Sequence, residues 1–201
     1  KEGDQIWVQT WDHLYAVNKQ TGVEFDDPIH RLYLLNKDSS KIVYISEYNN
    51  QNTYRTRNNA WPGNDRENGT IYSNHKNINT VRHSIYSFLN GDYEKSYSYW
   101  DENAEVNDIN LSEPITLSDA KKANEELMKN FTFDAADEVG YPDYLEYDLW
   151  ESKDVLSWWK FRMTRKSDGK KIVLPIHYIH GFDNEGKIIN VTMYFNASLM
   201  Q

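Results

Sequence analysis

Residues 155–196 read VLSWWKFRMTRKSDGKKIVLPIHYIHGFDNEGKIINVTMYFN. Apolar and polar residues alternate through Trp159, Phe161 and Met163, and Ser167-Asp168-Gly169 supplies a turn. A second run spans residues 172–180, Asp183-Asn184-Glu185-Gly186 turns the chain again, and a third run covers 187–195. Period-two runs joined by Gly-containing turns predict three antiparallel strands. The same pattern occurs once before. Shifted by 147 positions, Val8, Trp11, Lys19, Gly22, Pro28, Ile29 and His30 meet Val155, Trp158, Lys166, Gly169, Pro175, Ile176 and His177. With one residue fewer in the next turn, Lys41, Ile42, Tyr48 and Asn50 meet Lys187, Ile188, Tyr194 and Asn196. Trp, Gly and Pro-Ile-His seldom stay in register by chance, so the pattern reads as an internal duplication. The alternative is two unrelated hairpin systems with similar turns.

Composition sets outer bounds. With 201 residues there is room for one large domain or one and a half small ones. Aromatic residues make up 14% of the chain, enough to line a concave pocket as well as to fill a core. A formal charge of −9 argues against a nucleic-acid partner, which needs clustered Lys and Arg. No apolar run is long enough to span a membrane as a helix. Cysteine is absent, which removes disulfides, thiolate metal sites and Cys nucleophiles. The first residue is Lys rather than Met, and with the Asn- and Tyr-rich composition this favours an exported protein, of the periplasm or cell envelope, over a cytoplasmic one.

Between the two strand systems the character changes. Residues 49–79 hold ten Asn together with Pro62, Gly63 and Gly69, and read as an irregular connection that Trp61 and Ile71 could pin. From Thr80 onward Val81, Ile85, Phe88 and Leu89 share one helical face, and Gly91 follows as a stop. Asp92 caps a second short helix from Tyr93 to about Trp100. A short strand is expected at 104–108. Thr116-Leu117-Ser118-Asp119 then opens a helix that buries Ala120, Ala123, Leu127, Met128 and Phe131. A strand around 144–149 leads into the closing three. Helices segregated from an antiparallel sheet make an α+β fold.

Residues 78–199 resemble a domain of the nuclear transport factor 2-like superfamily, in the branch of SnoaL-like polyketide cyclases and ketosteroid isomerases. The motifs are Leu89-Asn90-Gly91-Asp92, Tyr99-Trp100-Asp101-Glu102-Asn103-Ala104 running into Val106-Asn107-Asp108, Pro175-Ile176-His177, and Phe182-Asp183-Asn184-Glu185-Gly186-Lys187-Ile188. Each is weak alone; their order and spacing carry the likeness. The resemblance implies a cone: a strongly curved antiparallel sheet wrapped around about three helices, with a pocket inside. It also implies a small hydrophobic ligand, chemistry without a cofactor, and a homodimer through the outer sheet face. The domain plan is then 1–50 as the back half of a similar repeat, 51–77 as the connection, and 78–201 as the complete domain. A lone back half leaves an apolar face open, so a helical half-domain of roughly 80 residues is expected upstream.

In ketosteroid isomerases an Asp removes a proton beside a carbonyl while a Tyr and a protonated Asp stabilise the enolate. Carried over by position, Asp108 matches the base, Ser84 replaces the Tyr, and His177 replaces the protonated Asp. Asp108 and His177 are therefore the candidate catalytic pair, an isomerase, cyclase or lyase type without cofactor, expected to converge within reach of a direct or water-bridged hydrogen bond. Strand alternation puts Trp159, Phe161 and Met163 inside and Trp158 outside. With Ser84, Phe88, Trp100 and Ile179 they are the expected pocket residues. Three positions on a strand separate His177 from His180, so those two face opposite sides and cannot readily share an ion. With no acidic cluster beside His75 or His83, no metal is expected. The competing class is a non-catalytic ligand-binding or dimerisation module.

Overall fold

The computed structural model describes residues 5–49, 55, 58 and 66–201. The chain divides into two compact units, Lys1–Asn64 and Asp65–Gln201. In the first, β1 (Ile6–Val17), β2 (Glu24–Leu35) and β3 (Ile42–Tyr48) form an antiparallel sheet in that order. Most of the Asn-rich connection, with Trp61, lies outside the described residues.

The second unit is α+β, a large mixed sheet with three α-helices among the described residues. Its elements are β4 (Thr70–Tyr72), α1 (Lys76–Leu89), α2 (Tyr93–Ser98), β5 (Trp100–Asp108), β6 (Ile115–Thr116), α3 (Leu117–Asn130), β7 (Phe131–Glu138), β8 (Asp143–Tyr147), β9 (Ser152–Arg165), β10 (Lys171–Phe182) and β11 (Ile188–Phe195). The strand order is β4-β8-β9-β10-β11-β5-β6, and β7 follows β8 along the same edge of β9. All pairs are antiparallel except β11 with β5, which run parallel. The large curved sheet and three helices agree with the expected α+β cone, but the sheet is mixed where a wholly antiparallel one is expected.

Local chemistry starts and stops the helices. The His75 Nδ1 accepts the Asn77 N–H at the head of α1 (3.2 Å), and Gly91, at φ +80°, takes the left-handed position just past its end. Asp92 accepts the Lys95 N–H (3.1 Å) and starts α2. Thr116 Oγ1 accepts the Asp119 N–H (3.1 Å) and donates to its carboxylate (2.9 Å), so the capping box expected from the sequence opens α3. Arg82 grips Glu138 through two hydrogen bonds of 2.8 and 2.9 Å, which fastens α1 to β7.

The core lies between the helices and the concave face. Ile78 and Val81 of α1 meet Val155, Trp159, Phe161 and Met163 of β9 and Ile172 and Leu174 of β10, all buried. The expected alternation on β9 holds: Trp159 is 1% exposed and Trp158 38%. Three expectations need correction. Phe131 begins β7 instead of ending α3. Strand β7 was not expected at all, because a bulge between Phe133 and Ala135 breaks its alternation. Thr70–Tyr72 is a strand on β8, where the sequence suggests irregular chain.

Candidate functional site

The concave side of the Asp65–Gln201 unit holds a cavity of about 410 Å3. Each wall has a sequence reason. The even-numbered residues of β10, including Leu174, Ile176, Tyr178 and His180, face inward because Ile176 pairs with Trp159 and Leu174 with Phe161. Helix α1 contributes Ser84, Ile85 and Phe88 one turn apart, and α3 contributes Ala120, Asn124 and Leu127 at helical spacing. Strand β5 supplies Trp100, Val106 and, at its end, Asp108.

Polar groups in this wall are few and mostly committed. The Trp100 indole N–H donates to Ser84 Oγ (2.9 Å), and that hydroxyl donates to the Ser96 carbonyl (3.2 Å). Ser84, the position expected to replace an oxyanion-binding Tyr, thus has its proton directed to the backbone. Asn124 donates to the Tyr97 hydroxyl (3.0 Å). The Asp108 carboxylate accepts from Asn110 twice, from the backbone N–H (2.9 Å) and the amide (2.8 Å), both at Oδ1.

His180 differs from all of these. It is 3% exposed, its Nδ1 has no hydrogen-bond partner, and its ring lies between Trp100 (6.0 Å between ring centroids) and Tyr178 (5.2 Å). Burial, with a smaller contribution from His177, pushes its pKa down to about 3, so the imidazole is neutral. Burial, assisted by the nearby Asp108 charge, raises the Tyr178 phenol pKa, so this hydroxyl keeps its proton.

The structure does not bring Asp108 and His177 together. Antiparallel register sets His177 opposite Trp158 on one side and Tyr194 on the other. These three rings stack on the outer face, at 4.8 and 5.7 Å, and His177 Nδ1 donates to the Ser157 carbonyl (3.1 Å). Ile179 shares that outer parity and leaves the expected pocket set. Trp159 is inside but beside the cavity rather than on its wall, packed edge-on to Tyr86 at 5.8 Å. Of the expected residues, Asp108, Ser84, Phe88, Trp100, Phe161 and Met163 line the cavity. Tyr178 and His180 were missed. The pairing of β10 with β9 would have found them, since an inward Trp159 forces the even residues of β10 inward. Among the described residues, no group of three or more His, Asp or Glu side chains is placed to hold a metal. No helix among them is long and apolar enough to cross a membrane.

No family model matches the chain, and no curated protein matches it. Among solved structures it is similar to a nuclear transport factor 2-like protein of unknown function from Burkholderia pseudomallei, at 16% identity over 63% of this chain and 95% of that one, with a TM-score of 0.48. It is also similar to a candidate polyketide cyclase from Pseudomonas putida (17% identity, 62% and 94% covered, TM-score 0.49). A third is a candidate isomerase from Bacillus subtilis (14% identity, 61% and 91% covered, TM-score 0.48).

Proposed function

We propose that the Asp65–Gln201 unit binds one compact, largely apolar molecule in this cavity, its polar end directed to His180, Tyr178 and Asp108. The observation that carries the reading is the cavity itself, walled mainly by apolar and aromatic side chains with Asp108, Tyr178 and His180 among its few polar residues. The volume suits a small ligand. Binding is better supported than proton transfer, because His177 lies on the opposite face and the Ser84 proton is committed.

Nile red titration tests it. The wild-type protein is expected to bind the dye saturably, with a blue-shifted emission. Ala120→Phe, which fills the cavity from α3, should weaken binding at least tenfold while the far-ultraviolet circular dichroism and a cooperative melt persist. Undiminished binding by that variant would place the dye elsewhere and remove the reading.

We also infer that the two strand systems descend from one duplicated unit. Trp11, His30 and Tyr48 pair across β1, β2 and β3 as Trp158, His177 and Tyr194 do across β9, β10 and β11. Their rings stack at 4.7 and 5.7 Å in the first unit, against 4.8 and 5.7 Å in the second. Gly22 and Gly169 turn with the same φ of +73°. Both middle strands carry a register shift at the matching place, Leu34/Leu35 and Gly181/Phe182. Inside, the copies diverge. Where the second has Trp159, Tyr178 and Met193, the first has Asp12, Arg31 and Glu47, with Arg31 within 3.3 Å of Glu47 and 3.6 Å of Asp12. The apolar cavity therefore belongs to the second copy. In sequences of relatives, the Trp, His and Tyr of both ladders should keep their offset; independent drift of the two sets would refute common descent.

A further inference from the structure

The charges around the cavity narrow the class of ligand, an inference that rests on the binding reading above. Asp108 is the one carboxylate in the wall, and no Lys or Arg lines it. Among the described residues no cation pairs with Asp108, and the hydrogen bonds it accepts both go to Oδ1. An anion at the edge of an apolar cavity favours a cation beside it and opposes a second anion.

The rest of the wall is suited to the same partner. Trp100 and Tyr178 flank His180, Phe161 meets Tyr178 edge-on at 6.4 Å, and Phe133 meets Phe161 at 6.0 Å, so aromatic rings run in contact along the wall. Aromatic faces attract ammonium groups through their quadrupoles, most strongly where water is excluded. A carboxylate ligand, by contrast, would find no Lys or Arg in this wall.

We propose that the cavity takes an organic cation: an ammonium on a compact apolar frame, its charge against Asp108 and its frame against Trp100, Tyr178 and Phe161. Three probes on one frame, 1-adamantanamine, 1-adamantanol and 1-adamantanecarboxylate, separate charge from shape. Isothermal titration at pH 7 is expected to rank amine over alcohol by about tenfold or more, with the carboxylate weakest. Added salt should lower the amine's affinity and leave the alcohol's nearly unchanged. Asp108→Asn, which keeps an oxygen for Asn110, is expected to bring the amine-to-alcohol ratio close to one. If the wild-type protein binds amine and alcohol equally, or prefers the carboxylate, the cation assignment is wrong while the cavity reading stands. If none of the three binds, the cation assignment is wrong, and the cavity reading is decided by the Nile red titration.

Discussion

Trp159→Ala should destabilise the Asp65–Gln201 unit by about 3–5 kcal/mol, because truncating a buried Trp removes its transfer free energy and leaves a hole the neighbours only partly refill. Trp159 is 1% exposed, lies on the central strand β9, and joins Ile78 and Val81 of α1 to the sheet. Trp159→Phe should cost far less than its lost volume suggests. The buried indole N–H has no hydrogen-bond partner, and phenylalanine has none to satisfy. Urea unfolding followed by circular dichroism measures both. A Phe variant as unstable as the Ala variant would mean that the N–H is satisfied in solution.

His180→Phe should flatten the protein's loss of stability in acid. The folded-state pKa lies near 3, below the ordinary value of 6.5, so between these limits the unfolded chain takes up a proton that the fold refuses. Stability contributed by the neutral ring is therefore complete above pH 6.5 and declines as the pH falls towards 3, by up to about 1.4 kcal/mol per pH unit. Melting temperatures recorded from pH 7 to pH 4 should fall less steeply for the variant than for wild type. At pH 7 the variant should melt at the same temperature or higher, since an orphaned polar nitrogen is exchanged for apolar packing beside Trp100 and Tyr178. His75, whose pKa burial also lowers, would sustain what remains of the acid slope. Parallel curves for the two proteins would show that His180 already has a proton partner in the fold.

Much of this architecture could be read from particular residues. Gly169 and Gly186 mark the two turns of the closing strands, and Trp159, Phe161 and Met163 give the inner face of β9, because one face of that strand is apolar and the other carries Lys160 and Arg162. Strand β10 defeats the same reasoning. Ile172, Leu174 and Ile176 have one parity, Val173 and Ile179 the other, so hydrophobicity cannot choose its inner face. The Pro175-Ile176-His177 motif points to a histidine of the outer face, and only cross-strand pairing to β9 shows that His180 is the inner one. Strand β7 was hidden for two reasons. Phe131 follows Leu127 at helical spacing, and the bulge at Phe133/Ala135 erases the period-two signal beyond it. The cavity's contents of charge, one carboxylate and no base of high pKa, depend on which side chains the topology gathers and have no local signature.

The parallel pairing of β11 with β5 has a consequence for synthesis. β11 lies between β10 and β5, so the long antiparallel run ending at β10 and the β5–β6 pair become one sheet only when β11 inserts. Among the strands of the described residues it is also the last to be synthesised. Until then, β5 has β6 alone as a neighbour in the sheet, and the wall around Val106 lacks Val191. A nascent chain paused before residue 188 would therefore display an open edge and an unclosed apolar cavity, the kind of surface to which holding chaperones bind.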